Sequence, residues 1–136
     1  MGTNVNKKNG NSFEAEFCEM LAKNGFWAHN MTQNQAGQPA DVLAVRNGKA
    51  YLIDCKLCSA KGFSLDRIEP NQETAMDLWE SCGNPCGIFA IKHNGKIFMI
   101  SMISLKILRR CGISTIGVNQ LPIMGIPFER WVELCV

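Results

Sequence analysis

Apolar residues at helical spacing define the first element of the chain. Ser12 has the character of a helix N-cap and Gly25 that of a C-terminal stop, so a helix is predicted between them. A short strand is predicted directly afterwards, in Phe26–His29. The apolar face of the helix consists of Phe13, Phe17, Met20 and Leu21.

Two later stretches each place an Asn-Gly pair between apolar runs. The first is PADVLAVRNGKAYLIDCKL, residues 39–57, and the second is GIFAIKHNGKIFMIS, residues 87–101. An Asn-Gly pair in this setting is the strongest short-range sign of a β-hairpin, because both residues accept the backbone of a type I′ turn. We therefore expect two β-hairpins in this chain.

Three further helices are predicted around the hairpins. Pro70 stands at the first turn of a helix that ends before Gly83. Ser104 is the expected N-cap of a helix with two arginines in its last turn, where the macrodipole favours cations. A closing helix is predicted over residues 127–136. Helices alternating with strands indicate an α/β fold, with a small mixed β-sheet flanked by helices.

Three charged residues interrupt the apolar strands of the first hairpin. Asp54 and Lys56 are two residues apart, so their side chains point to the same face of the strand. Asp41 lies on the partner strand, at the open end of the hairpin where Asp54 and Lys56 emerge. An unpaired charge inside a sheet is costly, and the hairpin geometry allows the three side chains to be neighbours.

This charged cluster has two interpretations. Two adjacent carboxylates repel each other unless a positive charge offsets them, and a hard divalent cation with oxygen ligands does this well. Asp41 and Asp54 are therefore candidate ligands of Mg²⁺ or Mn²⁺, with Lys56 acting on the attacking water or on a phosphate. Alternatively, Asp54 and Lys56 form a structural ion pair at the wet end of a strand, and Asp41 flanks a turn.

The order of motifs along the chain resembles the PD-(D/E)XK nuclease superfamily and, within it, the Holliday junction resolvases of the RecU and archaeal types. A basic stretch and a glycine precede an acid-bearing helix in KKNGNSFEAEF, a Gly-Phe strand follows, and then come PAD (residues 39–41) and DCK (residues 54–56). A loop next leads into a helix that opens near Gln72, as in RecU-like proteins. The resemblance covers about residues 7–105.

This resemblance implies a restriction-endonuclease-like core and an endonuclease that hydrolyses phosphodiester bonds in branched DNA, with Mg²⁺ or Mn²⁺ as cofactor. It assigns metal binding to Asp41, Asp54 and the backbone carbonyl of Cys55. It assigns the positioning of the attacking water to Lys56. A homodimer is also implied, because resolving a junction takes two symmetric cuts.

Two more roles follow from the resemblance. Glu14 matches the acid of the first helix, acting through water or a second metal ion, and Gln72 steadies the site or the scissile phosphate. Glu16 and Glu19 lie on the same helix and compete for the first role, although Glu14 has the better spacing from Gly10. The sequence leaves the choice among the three acids open.

The chain departs from the family pattern at two positions. Ala40 separates Pro39 from Asp41, and Asp54 stands where junction resolvases usually have glutamate. The shorter side chain holds the carboxylate closer to the backbone, which leaves the preferred metal open.

Composition narrows the class of protein. The 136 residues fit a single nuclease domain, which we place at residues 12–136 behind a flexible basic arm at residues 1–11. No apolar run approaches the ~18 residues of a membrane span, so no membrane association is expected. Seven cysteines without a secretory signal indicate a reducing compartment, and we expect the cytoplasm.

The net charge of +2 does not by itself indicate a nucleic-acid partner, but the distribution of charge favours one. No Asp or Glu lies between residues 81 and 128, a region that contains five Lys and Arg residues. We expect contacts to the DNA backbone there, in the N-terminal arm and in the loop before Gln72; solvated surface charge is the alternative. The candidates in the arm and the loop are Lys7, Lys8, Lys61 and Arg67.

Other functions stay open on the sequence. Cys55 and Cys58, together with Cys82 and Cys86, have a spacing that permits a four-thiolate zinc site. The alternatives to a junction resolvase are therefore a nuclease of the same fold acting in restriction or repair, and a DNA-binding or zinc-stabilised module without catalysis.

Overall fold

The computed structural model describes residues 2–31 and 40–135, with side chains from Ser12 onward. Pro39 and the side chains of Lys7 and Lys8 lie outside the described residues. The helices are α1 (Gly2–Lys23), α2 (Pro70–Ser81), α3 (Met102–Arg110), α4 (Leu121–Met124) and α5 (Phe128–Leu134). The strands are β1 (Trp27–Asn30), β2 (Val42–Arg46), β3 (Lys49–Leu57), β4 (Phe63–Ser64), β5 (Ile88–His93), β6 (Lys96–Ser101), β7 (Thr115–Ile116) and β8 (Ile126–Pro127).

Six of the strands form one mixed sheet in the order β1-β2-β3-β5-β6-β8. Strands β3 and β5 are parallel, and the other neighbours in this sheet pair antiparallel. Strands β4 and β7 make a separate two-stranded sheet. The predicted α/β architecture, a small mixed sheet flanked by helices, is confirmed.

Both predicted hairpins are present. Asn47 and Gly48 have φ angles of 53° and 76°, and Asn94 and Gly95 have φ angles of 50° and 74°. Positive φ at both central residues is the requirement of a type I′ turn, whose twist matches that of the flanking strands. The turns fix the register of β2 with β3 and of β5 with β6, and so decide which side chains share a face.

Each face of the sheet buries its own apolar core. Helices α1 and α5 cover one face, where the rings of Phe17 and Phe128 meet edge to face at 5.5 Å. Helices α2 and α3 cover the other face, around residues such as Met76. Along β3 the alternation sends Ile53 to the α1 side and Leu52 to the α2 side. Asp54 therefore points toward α2.

Two helix starts differ from those predicted. Helix α1 begins at Gly2 rather than after Ser12, so it crosses the predicted boundary after residue 11. The predicted flexibility of residues 1–11 stays a prediction. Helix α3 begins at Met102 because Ser101 is its N-cap, with Oγ accepting from the Ser104 N–H at 3.1 Å, so the predicted cap at Ser104 is wrong. No helix among the described residues combines the length and apolar character of a membrane span.

Candidate active site

Strand β3 carries the central pair of the site. Asp54 is 1% exposed, so its carboxyl group is almost completely removed from water. The Lys56 ammonium lies 3.1 Å from Asp54 Oδ2, and its side chain is 15% exposed. The pair therefore has a buried acid at its inner end and an amine that reaches solvent.

Asp41 is fixed beside this pair by the end of the β2–β3 ladder. The last paired residues of the two strands are Val42 and Ile53, after which the Asp41 N–H still donates to the Ile53 carbonyl at 3.1 Å. One step further out, the Cys55 N–H donates to Asp41 Oδ2 at 2.8 Å. A side-chain carboxylate thus replaces the backbone acceptor that a longer β2 would supply, and this places Asp41 next to Asp54.

The electrostatics of the site show an excess of negative charge. Burial and then the nearby Asp41 carboxylate raise the pKa of Asp54 to about 8, while Lys56 acts in the opposite direction. One ammonium therefore does not offset two carboxylates at this degree of burial. An additional cation at the two acids would stabilise their ionised forms.

Gln72 reaches the same carboxylate from α2. Its side chain is buried, and Nε2 donates to Asp54 Oδ1 at 2.9 Å. The residue stands in the first turn of α2, which Pro70 starts as predicted. Helix α2 belongs to the connection between the parallel strands β3 and β5, and it places Gln72 beside the end of β3.

Glu14 is the buried acid among the three candidates on α1. It is 8% exposed, whereas Glu16 and Glu19 are exposed. Burial and then Glu14 raise the pKa of the Cys18 thiol, and Glu14 also contributes to the raised pKa of Cys55, for which burial is the main cause. Glu14 therefore lies near Cys55, on the α1 side of the sheet. The structure favours it over the other two acids, and its role stays a prediction.

The donor set of the site fits a hard divalent cation better than zinc. Asp41 and Asp54 offer carboxylate oxygens, and the Cys55 backbone could add a carbonyl, which are ligand types that Mg²⁺ and Mn²⁺ prefer. Among the described residues no group of three or more His, Cys, Asp or Glu side chains is arranged to hold a metal. Neither the four-thiolate alternative nor a cluster of Glu14 with Asp41 and Asp54 is therefore formed by the described residues. All seven cysteines are free thiols.

The loop residues proposed to contact DNA differ in their surroundings. Arg67 donates to the Leu57 carbonyl, and its guanidinium lies 5.3 Å from the centre of the Phe63 ring. Lys61 is exposed in the turn that precedes β4. Arg67 thus has a structural contact at the end of β3, and Lys61 is the more available cation of the two.

Part of the basic region from Lys92 to Arg110 is offset by acids from elsewhere in the chain. Lys92 pairs with Glu16 at 2.8 Å, and Lys106 pairs with Asp77 at 2.5 Å. The acids come from α1 and α2. Residues 92–110 contain no acid of their own, but acids that are distant in the chain neutralise part of their charge in the fold. Lys96 and Arg110 are exposed.

Sequence reasoning missed Glu69, the N-cap residue of α2. Its backbone N–H donates to Gln72 Oε1 at 3.3 Å, forming part of a capping box. The signal was available, because a capping box places a Glu or Gln three residues after the N-cap. The unusual feature is a glutamate rather than a serine or threonine at the cap.

The fold and the cluster of two acids and a lysine define the PD-(D/E)XK class of nucleases. The family model of the archaeal Holliday junction resolvase (hjc) matches residues 5–134, so the chain belongs to that family. A similar solved structure is Hjc of Archaeoglobus fulgidus, a Holliday junction resolvase from an archaeal hyperthermophile. It is 18% identical, the match covers 92% of this chain and 96% of that one, and the TM-score is 0.64. No curated protein matches the sequence.

Proposed function

We propose that this protein is a Mg²⁺- or Mn²⁺-dependent endonuclease that hydrolyses phosphodiester bonds in branched DNA and resolves Holliday junctions. The observation that carries the proposal is the convergence of Asp41, Asp54 and Lys56 at one end of a hairpin, in a chain of the archaeal resolvase family. Burying a carboxylate such as that of Asp54 costs folding free energy, and the proposed phosphodiester hydrolysis gives each of the three charged groups a role.

Asp41 and Asp54 are the proposed metal ligands, together with the Cys55 carbonyl. Asp41 is already oriented by the Cys55 N–H, and the high pKa of Asp54 reflects the excess negative charge that a cation would offset. When bound, the metal stabilises charge on the phosphate and makes water a better nucleophile near neutral pH. Glu14, buried on α1, is the proposed further acid of the site, acting at a greater distance.

Lys56 is proposed to position the attacking water and to stabilise charge that develops on the phosphate. Its ammonium is held by Asp54 at 3.1 Å, so it enters the reaction in a fixed place rather than as a mobile surface charge. Its 15% exposed side chain supports contact with a substrate that approaches from solvent. A preorganised donor of this kind acts without the reorganisation that water would need.

DNA binding is proposed to involve Lys7, Lys8, Lys61 and Arg67. Contacts to phosphate strengthen binding without selecting sequence, and they weaken as salt is raised. Lys61 is supported by its exposure, and Arg67 contributes partly by fixing the end of β3. Substituting Lys61 by alanine should raise the dissociation constant for DNA and reduce its salt dependence; an unchanged constant at low salt would remove Lys61 from the interface.

A homodimer is proposed because junction resolution takes two cuts related by symmetry. The support is a set of large apolar side chains in the C-terminal third of the chain that are 37% to 81% exposed. Its members are Ile103, Ile107, Ile123 and Ile126. Sedimentation equilibrium tests the proposal: a dimer is expected for the native chain, and Ile107→Lys combined with Ile123→Lys should produce monomers.

Seven free cysteines support residence in a reducing compartment, for which the cytoplasm is proposed. Fractionation of cells that produce the protein tests this location, and recovery of the protein with oxidised cysteine pairs would contradict it.

Cleavage of a synthetic four-way junction tests the proposed activity. The junction and a linear duplex of the same sequence are incubated with the protein, with Mg²⁺ or with a chelator. Paired cuts in the junction alone, only with Mg²⁺, are expected. Equal cleavage of the linear duplex would instead favour the restriction or repair alternative. Binding without cleavage would favour a non-catalytic module.

Two variants assign the activity to the cluster. Asp54→Asn should stop cleavage while the protein still binds the junction. Asp66→Asn makes the same chemical change at an exposed aspartate in the loop before α2, so it controls for the loss of one negative charge. Normal cleavage by Asp54→Asn would show that the catalytic assignment is wrong.

A further inference from the structure

The side-chain amide of Gln72 is held at both of its ends. Nε2 donates to Asp54 Oδ1 at 2.9 Å, and Oε1 accepts from the backbone N–H of Glu69 at 3.3 Å. Gln72 is 6% exposed and Asp54 is 1% exposed, so the contact between them is buried away from bulk water, whereas the contact to Glu69 is partly buried. The amide therefore connects the N-cap of α2 to the central carboxylate of the site.

The two partners of the amide demand one orientation. A glutamine amide has a carbonyl oxygen that only accepts and an NH₂ group that only donates. The Glu69 N–H is a donor, so it selects the orientation with Oε1 toward it, and the NH₂ group then faces Asp54. In the flipped orientation two donors would meet at Glu69, and two acceptors would meet at Asp54 when its carboxyl group is ionised, as binding of a metal ion requires.

The amide in turn restrains the carboxylate of Asp54. One oxygen, Oδ1, accepts from Gln72, while the other, Oδ2, lies 3.1 Å from the Lys56 ammonium. Among the described residues Oδ2 has this ion-pair contact but no hydrogen bond, so the Gln72 hydrogen bond at Oδ1 is the directional contact that sets the rotation of the carboxylate plane. Groups that orient a metal ligand in this way typically change affinity or activity by about 10- to 100-fold when removed.

We propose that the backbone N–H of Glu69 is a positioning group, which locks the Gln72 amide and through it orients Asp54 for metal binding and catalysis. This inference rests on the proposed nuclease function. In this proposal Gln72 orients Asp54. Its predicted alternative role is a contact with the scissile phosphate, but one N–H of the Gln72 amide is already bonded to Asp54. The start of α2 is thereby part of the catalytic apparatus without contacting substrate.

The backbone at Glu69 permits a test that removes a single N–H group. Glu69 has φ −78° and ψ 144°, values that proline adopts without strain, and Ile68 has φ −80° and ψ 110°, which suits a residue before proline. Glu69→Pro therefore removes the donor and the carboxylate. Glu69→Ala removes the carboxylate and keeps the donor, so the comparison between the two variants isolates the N–H.

The activity test is a double-mutant cycle. Cleavage of the four-way junction is measured for Glu69→Ala and Glu69→Pro, each alone and combined with Gln72→Met, which keeps the side-chain length without hydrogen bonds. In the Gln72 background, we expect kcat of the proline variant to be about tenfold below that of the alanine variant with KM unchanged. With Gln72→Met, the two should have equal kcat. If the ratio of kcat between Glu69→Ala and Glu69→Pro were the same with Gln72 and with Met at position 72, the proposed role of the Glu69 N–H would be wrong.

A spectroscopic test uses the native, metal-free chain and needs neither activity nor a folded proline variant. The Gln72 side-chain amide proton that is hydrogen-bonded to Asp54, identified by its loss in Gln72→Met, should exchange slowly with solvent in a ¹⁵N-labelled sample. Rapid exchange in the native protein would overturn the proposal. If the native chain cuts no DNA, the proposed function fails, while the exchange measurement still decides whether the amide is locked.

Mn²⁺ affinity measured by calorimetry adds a third readout. Gln72→Met should weaken Mn²⁺ binding by about tenfold, as for other groups that orient a ligand. Unchanged Mn²⁺ affinity together with unchanged kcat would show that Gln72 does not orient Asp54.

Discussion

The two hairpins of the sheet share the same turn chemistry, yet they differ at their open ends. Counting outward from each turn, Asp41 of the first hairpin corresponds to Ile88 of the second, and Asp54 corresponds to Ser101. Ile88 and Ser101 are register partners, as the geometry of the turn requires. The same place in the fold is thus filled once by two acids, and once by an apolar residue and a helix cap.

This difference separates chemistry from folding. Phe89, the residue of β5 that lies beside Asp54 in the parallel register, is fully buried and apolar. The sheet therefore accepts an apolar side chain next to the position of Asp54, and a buried carboxylate there costs folding free energy. The open end of the second hairpin shows which side chains this position accepts without charge. The charged residues at the open end of the first hairpin are therefore assigned to the proposed function.

Removing the charges from the first hairpin should have the largest effect. Asp54→Asn or Lys56→Ala should lower the rate of junction cleavage by about a thousandfold, because the first removes a proposed metal ligand and the second removes an ammonium held beside the developing charge. Ser101→Ala, the matching change in the second hairpin, should keep the cleavage rate. Single-turnover kinetics on a four-way junction measure this contrast. Similar losses from Asp54→Asn and Ser101→Ala would contradict the separation of roles.

The metal-free protein should become less stable as pH rises from about 4 to about 8. The pKa of Asp54 is raised to about 8, so between its ordinary value and this one the folded chain holds a proton that unfolding releases. Bound protons in excess in the folded state make the unfolding free energy fall with pH, by an amount on the order of a few kcal/mol. Urea unfolding at several pH values should show this fall.

Asp54→Asn supplies the control for the pH effect. The variant should lose most of the pH dependence and be more stable than the native chain at pH 8. A native chain whose metal-free stability rises through this interval would contradict the assignment.

Substitutions beside the two turns, at the closed ends of the hairpins, should have smaller effects, and these concern the free energy of unfolding. Arg46, beside the first turn, donates to the carbonyls of Asn24 at 3.0 Å and Val132 at 2.8 Å, and lies 4.5 Å from the centre of the Phe26 ring. Arg46→Met should lower the unfolding free energy by about 2 kcal/mol, because it removes charge-assisted hydrogen bonds to three carbonyls, those of Asn24, Val132 and Cys135. His93→Ala, beside the second turn, should cost less. Urea unfolding measures both.

Loss of the α3 cap should have the smallest effect. Ser101→Ala removes the acceptor of the Ser104 N–H and should destabilise the protein by about 1 kcal/mol. Ser101→Asn should restore most of this stability, because asparagine is also a good N-cap. Thermal unfolding at fixed pH compares the variants, and no difference between alanine and asparagine would argue against a capping role.

Local patterns in the sequence predicted most of the fold. Asn-Gly pairs fixed both hairpins, and Pro70 identified the start of α2, because in each case the residue type itself restricts the backbone. The start of α3 was missed because Met102 and Ile103 continue the apolar run of β6 and hide the change of period. Strands β4, β7 and β8 were missed because two residues are too few to show alternation. Pro127 of β8 had been predicted as part of the closing helix.

The candidate site was predictable where the chemistry lies within one hairpin. Side chains alternate between the two faces of β3, which predicts that Asp54 and Lys56 share a face. Counting residues outward from the turn predicts that Asp41 lies opposite them. Burial could not be derived in the same way: Glu14 differs from Glu16 only in the side of α1 that meets the sheet. The pairing of Lys92 with Glu16 was also beyond prediction, since it depends on how α1 crosses β5.

The return of α2 to the end of β3 has a consequence for how the sequence encodes the site. Asp41, Asp54, Lys56 and Gln72 all lie within residues 41–72, so one short stretch of the chain encodes most of the proposed catalytic residues. Mutations elsewhere have mainly to preserve packing, which many combinations of apolar residues can do. Very different sequences are then compatible with the same architecture, as in the similar archaeal structure at 18% identity and a TM-score of 0.64.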